Sequence, residues 1–286
     1  MAGRRTVPVA LTIAGSDSGG GAGIQADMKT FAALGVYGMS VITAITAQNT
    51  VEVRRAEALP VDLVTAQLDA VMDDIGCDAA KTGMLATPEL VETVADGVRR
   101  HDIRNLVVDP VMVAKSGDAL LAAEARDALI SRLLPLALVV TPNLHEAGVL
   151  VGREITDLAS MNEAAREIAQ MGPRVVVVKG GHLEDRPADL VFVAETDQVK
   201  VLESARYDTP NTHGTGCTFS AAIAAGLALG MAPLDAIRQA KKFISIAIEA
   251  SLDIGHGHGP TNHGEAGRRL AAGTQGGEGT GKASTD

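Results

Sequence analysis

Six short runs rich in Val, Ile and Ala alternate along this chain with longer amphipathic segments, and no other feature constrains the fold as strongly. The runs are VPVALTIAG, GMSVITAIT, CDAAKTG, NLVVDPVM, LALVVTPN and RVVVVKGG. Runs that are apolar on both faces are typical of strands buried between two helical layers. Between them lie segments with apolar residues three and four positions apart, such as PELVETVADGVRRH and MNEAAREIAQMG. The repeated βα order predicts an α/β fold around a mostly parallel sheet.

The pattern changes after the last of these runs. DLVFVAE and VKVLESARY predict two antiparallel strands joined around Asp197 and Gln198, and two helices are predicted at about 214–230 and 233–251. No linker or internal repeat interrupts residues 1–263, which predicts a single domain. From Gly264 the chain loses its apolar periodicity, so residues 264–286 are predicted to form a disordered, mobile tail.

Composition excludes several classes of protein. With 286 residues, 46% of them hydrophobic, the chain can bury a large core. A net charge of -10 disfavours nucleic acids and anionic membranes as partners, because both carry negative charge. Two cysteines, Cys77 and Cys217, are too few for a disulfide framework. The first apolar run spans only about eight residues, shorter than an export or membrane segment, so a cytoplasmic location is expected.

The first glycine-rich loop, in AGSDSGGGAGIQADMKT, directly follows the first predicted strand. Gly21, Gly23 and Ala26 match the spacing of the dinucleotide-binding fingerprint. That fingerprint also requires an acidic residue at the end of the second strand, where this chain has Gln48 and Asn49, so a dehydrogenase is disfavoured. The glycines either let a ligand approach the backbone closely or form a tight βα turn with no further role.

Gln48 ends the second predicted strand. Its amide carries both donors and an acceptor, so it is able to pair with a ring nitrogen and the adjacent amine of an aminopyrimidine. A glutamine at this position also suits a loop-capping role through bonds to the backbone. The residue alone does not decide between the two interpretations.

Three charged residues follow later strands, at the sheet edge where open α/β sheets bind ligands. They are Asp109 in VDPVM, Glu146 in TPNLHEA and Lys179 in VKGGH, and the segment AKSGD belongs to the same group of loops. The carboxylates suit Mg²⁺, directly or through water, and the ammonium group suits phosphate. Charged residues at strand ends are often only solvated, so the prediction depends on their meeting at one edge.

The stretch THGTGCTFSAAIAAGLALG begins at Thr212 and places a glycine-rich turn before an apolar helix. The backbone N–H groups of Gly214, Thr215 and Gly216, with the positive end of the helix, predict an anion site. Cys217 is then placed to take a proton from a substrate hydroxyl. A helix N-terminus is expected to lower its thiol pKa, and a nearby polyphosphate to raise it. The alternative is that Cys217 is a small buried core residue.

Two further motifs are discounted. The histidines of GHGHGPTNH are interrupted by Gly and Pro and lack a matching carboxylate or cysteine, which disfavours a metal site. GGEGTGKA, from Gly276 onward, nearly matches a phosphate-binding loop. However, Ala283 replaces the required Ser or Thr, and neither a strand before the segment nor a helix after it is predicted.

Seven motifs together closely resemble the hydroxymethylpyrimidine/phosphomethylpyrimidine kinases of thiamine biosynthesis, which belong to the ribokinase-like superfamily. They are AGSDSGGGAGIQADMKT, ITAQNT, KTGML, VDPVMVAKSGD, TPNLHEA, VKGGH and NTHGTGCTFSAAIAAGLALG, in order over about residues 8–263. The resemblance implies a ribokinase-like three-layer α/β/α sandwich. It also implies an enzyme that uses ATP and Mg²⁺ to phosphorylate 4-amino-5-hydroxymethyl-2-methylpyrimidine to its monophosphate, and the monophosphate to the diphosphate.

The resemblance implies roles for individual residues as well. The positions that match the pyrimidine pocket are Gln48, Gly15, Asp27, Thr46 and Met84. The positions that match the ATP side are Lys179, Asp109, Asn143 and Thr215, with Glu146 and Asp109 toward Mg²⁺. Gly214 and Gly216 match backbone donors to the transferred phosphoryl group. Cys217 matches the general base, where many sugar kinases of the superfamily carry aspartate.

Two alternatives to this function stay open at this point. A pyridoxal or pyridoxine kinase of the same superfamily shares the GTGC architecture. A nucleotide-binding regulator would keep the fold without turnover. Since this branch of the superfamily commonly forms homodimers, a homodimer is expected.

Overall fold

The computed structural model describes residues 6–112, 123–181 and 187–275. The strands in these ranges are β1 (Val9–Asp17), β2 (Tyr37–Gln48), β3 (Val53–Ala58), β4 (Ala79–Thr82), β5 (Leu106–Val108), β6 (Val139–Val140), β7 (Val175–Gly180), β8 (Ala188–Val193) and β9 (Gln198–Glu203). They form one sheet in the order β3-β2-β1-β4-β5-β6-β7-β8-β9. The six strands from β2 to β7 in this order are parallel, while β3, β8 and β9 are antiparallel to their neighbours.

The described helices are α1 (Gly23–Ala33), α2 (Val61–Asp74), α3 (Pro88–Arg100), α4 (Ala123–Ala128), α5 (Leu144–Val151), α6 (Leu158–Gln170), α7 (Thr215–Ala228), α8 (Pro233–Glu249) and α9 (His263–Gln275). Helices α2 to α6 cover one face of the sheet, and α1, α7, α8 and α9 cover the other. The predicted three-layer α/β/α sandwich with a mostly parallel sheet is therefore confirmed.

Side-chain alternation along each central strand divides the core into two layers. On β1, Leu11 and Ile13 pack toward α2 and α3, whereas Ala10 packs toward α7. On β4, Ala80 lies in the same core layer as Leu11, and Ala79 lies in the same layer as Ala10. Because both faces of these strands are covered, their sequences are mostly apolar, which is why the six runs predicted strands correctly.

Strand β3 does not follow from the apolar pattern of the sequence. Its residues VRRAEA are half-buried at Val53 and exposed from Arg54 onward, and it pairs with β2 at the edge of the sheet. A strand at an edge needs no continuous apolar run, and charged side chains there protect the edge against pairing with other chains. The antiparallel pair around Asp197 is confirmed, since Val193 of β8 lies opposite Gln198 of β9.

Helix α9 corrects the predicted boundary of the tail. It covers all of residues 264–275, which were predicted to lie in a mobile segment, and it packs against α1 and α8. Ala266 is fully buried, and Gly267 lies close enough to Ala33 that a side chain there would collide with its carbonyl oxygen. Small residues thus dock this helix without an obvious apolar stripe, and that is why the periodicity was not apparent. Residues 276–286 lie outside the described part of the chain.

None of the helices within the described ranges combines the length and the apolar character that crossing a bilayer requires.

His263, at the start of α9, predicts a loss of stability in acid. Its Nε2 lies 2.9 Å from the Thr218 hydroxyl oxygen, and burial lowers the pKa of the imidazole to about 4. The unfolded value is about 6.5, so the stabilisation is complete above pH 6.5 and is lost as the pH falls through 6.5 toward 4. We expect the free energy of unfolding to be roughly 2 kcal/mol lower at pH 5 than at pH 7 from this group.

Urea unfolding at the two pH values, with His263→Gln as the comparison, measures this contribution. The variant is expected to show a smaller difference between pH 5 and pH 7 than the parent chain. An equal difference in both proteins would mean that the imidazole does not titrate as its burial requires.

Candidate active site

A cavity of about 710 Å³ lies at the sheet edge where the parallel strands end. The predicted site residues that line it are Gly15, Thr46, Gln48, Met84, Asp109, Asn143, Glu146, Lys179, Gly214, Thr215, Gly216 and Cys217. They come from the ends of β1, β2 and β7, from the segments after β4, β5 and β6, and from the start of α7. Parallel strands place their carboxyl ends at one edge, and the predicted meeting of these loops follows from that geometry.

Gln48 is held at one part of the cavity wall by its neighbours. Its backbone N–H donates to Ser18 Oγ at 2.8 Å, and the Ser18 hydroxyl donates to the Gln48 carbonyl oxygen at 2.7 Å. The Thr46 hydroxyl lies 3.2 Å from Gln48 Oε1 and 3.0 Å from the Ser16 carbonyl oxygen. With Oε1 next to the Thr46 hydroxyl, the Nε2 donors of Gln48 are available to a ligand in the cavity.

The N-terminus of α7 forms an open cradle of backbone donors. Gly214 is the N-cap, with φ 80 and no side-chain cap. A Cβ atom at Gly214 would lie 1.8 Å from the Gly21 carbonyl oxygen, so both the left-handed backbone and this close approach require glycine. The first N–H groups of a helix lack intrahelical acceptors and, with the helix dipole, attract anions. The Thr215 N–H group donates to the Thr212 carbonyl oxygen at 3.3 Å, so the predicted anion site depends on the other N–H groups of this turn.

Lys179 and Asp109 lie directly beside this cradle. Lys179 Nζ is 3.0 Å from Asp109 Oδ1, and Ser220 of α7 donates to Asp109 Oδ2 at 3.2 Å. Burial acts to lower the pKa of Lys179, but the carboxylates of Asp109 and Glu146 outweigh it and raise that pKa. Lys179 is thus a fixed positive charge at the cavity wall.

Asn143 and Glu146 form a capping box at the start of α5. The Glu146 N–H donates to Asn143 Oδ1 and the Asn143 N–H donates to Glu146 Oε2, both at 2.8 Å. Burial raises the pKa of Glu146 to about 7; Lys179 opposes this shift and Asp109 adds to it. The two predicted metal-binding carboxylates are therefore near enough to repel each other, and a bound cation would relieve that repulsion.

Cys217 lies half-buried at the cavity wall, and the Gly23 N–H donates a hydrogen bond to it. Burial raises the pKa of its thiol to about 11, Lys81 lowers it, and Asp27 and Asp109 raise it further. The net shift of this pKa is upward, because desolvation and the two carboxylates outweigh Lys81 and the Gly23 N–H group.

Asp27 is the predicted pyrimidine-binding residue that the structure places elsewhere. It does not line the cavity but lies fully buried on α1, where Lys81 Nζ is 2.9 Å from its Oδ2. Lys81 itself lines the cavity, and the sequence analysis did not select it. A lysine within the buried strand run CDAAKTG was the signal that could have identified it, because unpaired lysine is almost never buried.

Asp17 and His213 form a second contact that sequence reasoning missed. His213 Nε2 and Asp17 Oδ2 are 2.8 Å apart, and both residues line the cavity. Burial alone would raise the pKa of Asp17, but hydrogen bonds from His213 and from the Ala22 and Gly19 N–H groups hold it below its usual value. This contact joins the first glycine-rich loop to the turn before α7.

Some predicted features fall outside the described residues: the segment AKSGD at 114–118, the histidine that ends VKGGH, and the discounted GGEGTGKA. Within the described ranges, no group of three or more His, Cys, Asp or Glu side chains has the arrangement of a metal site. A divalent cation at Asp109 and Glu146 would therefore need oxygen ligands from substrate or water, which is usual for Mg²⁺.

Comparison with known families identifies the chain. A sequence model of the family described as phosphomethylpyrimidine kinase matches residues 17–262, which include nearly all of this cavity wall. This chain belongs to the phosphomethylpyrimidine kinase family. The predicted resemblance and the predicted phosphotransferase class are confirmed.

Individual members of the family and their structural neighbours agree with this assignment. A hydroxymethylpyrimidine/phosphomethylpyrimidine kinase of Rhizobium meliloti is 55% identical over 259 residues, which cover 89% of this chain and 96% of that protein. The crystal structure of phosphomethylpyrimidine kinase from Clostridium difficile has a TM-score of 0.75 at 44% identity, covering 84% of this chain and 99% of that one. An ADP complex of Bacillus subtilis pyridoxal kinase has a TM-score of 0.86 at 44% identity, covering 93% and 100%. The fold is thus the ribokinase-like sandwich.

Proposed function

We propose that this kinase transfers the γ-phosphoryl group of ATP to 4-amino-5-hydroxymethyl-2-methylpyrimidine and then phosphorylates the monophosphate to the diphosphate, in thiamine biosynthesis. The observation that carries the proposal is that the Gln48 amide and the open N-terminus of α7 face one cavity. The names of the related kinases support the same substrate.

The anion cradle performs most of the catalysis in this proposal. Phosphoryl transfer usually has a loose transition state, so positioning and neutralisation of charge matter more than proton removal. The backbone donors at 214–217 and the Lys179 ammonium stabilise the charge on the transferred group. Cys217 takes the proton of the substrate hydroxyl, and no phosphoenzyme forms.

The nucleotide lies on the side of Lys179, Asp109, Asn143 and Thr215. Phe219, Ile244 and Ile248 from α7 and α8 add an apolar wall to the same cavity, which suits a flat base. Asp109 and Glu146 would hold Mg²⁺, and their oxygen donors fit this ion. When bound, Mg²⁺ supplies charge neutralisation for the phosphates.

Competition between hydroxymethylpyrimidine and pyridoxal under ATP tests the substrate assignment. We expect the pyrimidine to be consumed first and ADP to be released when it is added. Preferential phosphorylation of pyridoxal would favour the pyridoxal kinase alternative, which the likeness to the Bacillus subtilis structure supports. Binding of ATP without ADP release would favour a regulator.

Gln48→Ala is expected to raise the KM for the pyrimidine by roughly 10-fold or more, since the paired hydrogen bonds to the ring are lost. The KM for ATP should stay close to the wild-type value and serves as the internal control. Steady-state kinetics with each substrate varied in turn measure both constants. An equal increase for ATP would mean that Gln48 faces the nucleotide.

The expected homodimer stays part of this proposal. Tyr37 and Ile45 on β2 and Val51 after it are exposed apolar side chains near the β3 edge of the sheet, and a partner would cover them. Light scattering measures the mass in solution directly.

A further inference from the structure

Lys81 and Asp27 form a buried ion pair, and neither residue takes part in phosphoryl transfer as described under the proposed function. Lys81 on β4 lies opposite Thr12 on β1 in the strand register, and both side chains point toward α1, which carries Asp27. Lys81 Nζ lies 2.9 Å and 3.1 Å from the two Asp27 oxygens, and the Thr12 hydroxyl donates to Asp27 Oδ2 at 2.6 Å. The exposed fraction of both charged side chains is 0%.

A pair in this position is not explained by stability alone. Desolvation of two charges offsets most or all of their attraction, so an apolar pair of the same volume would serve a core equally well. Lys81 nevertheless reaches the cavity wall that also contains Cys217. A Cβ atom at Gly83 would lie 2.9 Å from Lys81 Nζ, so the glycine leaves room for the ammonium group at that wall.

The charges around Cys217 come from every element packed against it. Lys81 on β4 and Lys179 on β7 are positive, while Asp27 on α1 and Asp109 after β5 are negative. The other charged or titratable groups that line the same cavity are Asp17 with His213, Glu146, His145, Asp189 with Lys241, and Arg206. Lys179 is held by Asp109 at 3.0 Å and faces the phosphate cradle, whereas Lys81 is held by Asp27 and is the lysine whose charge lowers the pKa of the Cys217 thiol.

We propose that Lys81 is a positioning residue for phosphoryl transfer: its ammonium group, anchored by Asp27, stabilises the Cys217 thiolate that takes the proton of the substrate hydroxyl. In this step the O–H proton moves to sulfur and the substrate oxygen forms a bond to the γ-phosphorus. The bond from the γ-phosphorus to the bridging oxygen breaks, and its electron pair leaves on ADP. The thiol later returns its proton to solvent. The inference rests on the proposed function for the identity of the hydroxyl.

The inference makes opposite predictions for the two members of the pair. Asp27→Asn removes the counter-charge and leaves Lys81 to act on sulfur alone, so the pKa of the Cys217 thiol should fall by about one unit or more. Lys81→Met combined with Asp27→Asn removes both charges. It should raise that pKa above the wild-type value and above the Asp27→Asn value, because the favourable effect of Lys81 on the thiolate is larger than the unfavourable effect of Asp27.

Alkylation by iodoacetamide as a function of pH, followed by mass spectrometry, measures these shifts without any substrate. The chain has two cysteines, so a Cys77→Ser background leaves Cys217 as the reporter. Because the double variant leaves no unpaired buried charge from this pair, it is expected to fold. Thermal unfolding of each variant checks this. If Asp27→Asn does not fold, the double variant against the Cys77→Ser parent still decides the result.

The expected result is a lower thiol pKa in Asp27→Asn, a higher one in the double variant, and a kcat for the double variant reduced about 10-fold or more at pH 7. Identical titration of Cys217 in the parent and the double variant would overturn the inference. Since alkylation needs no pyrimidine, absent pyrimidine turnover in the parent chain would count against the proposed function alone. Normal turnover with unshifted alkylation would count against Lys81 alone.

Discussion

Cys217→Ala is expected to fold normally and to lose at least about 10²-fold in kcat, the lower end of what a general base contributes. Folding should survive because the residue lies in the first turn of α7, where alanine is a strong helix former, and because its side chain is only half-buried. The thiol pKa of about 11 adds a second signature. The base is the deprotonated form, so wild-type kcat should rise with pH between 7 and 9, and the variant should lack that rise.

Cys77→Ala is the matched control, since Cys77 packs against the apolar core and does not line the cavity. It should keep wild-type turnover. Steady-state kinetics from pH 7 to pH 9 on the three proteins give both readouts. A wild-type kcat in Cys217→Ala would show that the thiol takes no part in the reaction and that the backbone cradle alone is needed.

Gly216→Ala is expected to reduce kcat/KM by about 10²-fold or more without loss of stability. The added Cβ atom would lie 3.3 Å from Lys179 Nζ and 3.6 Å from Asp109 Oδ2, in the space between the cradle and the lysine. A displacement of the phosphoryl group by about 1 Å is enough for a loss of this size. The backbone at Gly216 is helical, so alanine fits the helix and is expected to keep or raise the Tm.

Gly264→Ala provides the comparison for this variant. Gly264 lies in the first turn of α9, and the nearest atom to an added Cβ there is 3.8 Å away. Its kinetics should match the wild type, and both variants should unfold cooperatively on heating. If Gly216→Ala kept wild-type kcat/KM, the transferred phosphate would have to pass elsewhere in the cavity.

The central sheet could be predicted from sequence because burial on both faces leaves a direct mark on composition. The strands β1 and β7, with their Val- and Ile-rich runs, follow from that rule. Edge strand β3 and helix α9 leave weaker marks. The first is mostly exposed, and the second docks through Ala266 and Gly267 rather than through large apolar side chains.

The candidate site could be predicted to the extent that its residues follow strands or begin a helix. Asp109, Lys179 and Cys217 meet at the cavity because parallel topology brings those positions to one edge. The ion pair between α1 and β4 could not be predicted in this way. Asp27 and Lys81 are 54 positions apart, and only the packing of α1 on the sheet joins them. The thiol pKa likewise depends on desolvation that a motif does not reveal.

The most direct test of the kinase assignment is a time course with ATP, Mg²⁺ and hydroxymethylpyrimidine in which the monophosphate and diphosphate are resolved and ADP is quantified. The account predicts that the monophosphate appears first, that the diphosphate follows, and that one ADP forms for each phosphate transferred. Failure to phosphorylate the pyrimidine at all, under conditions in which the folded protein binds ATP, would contradict it.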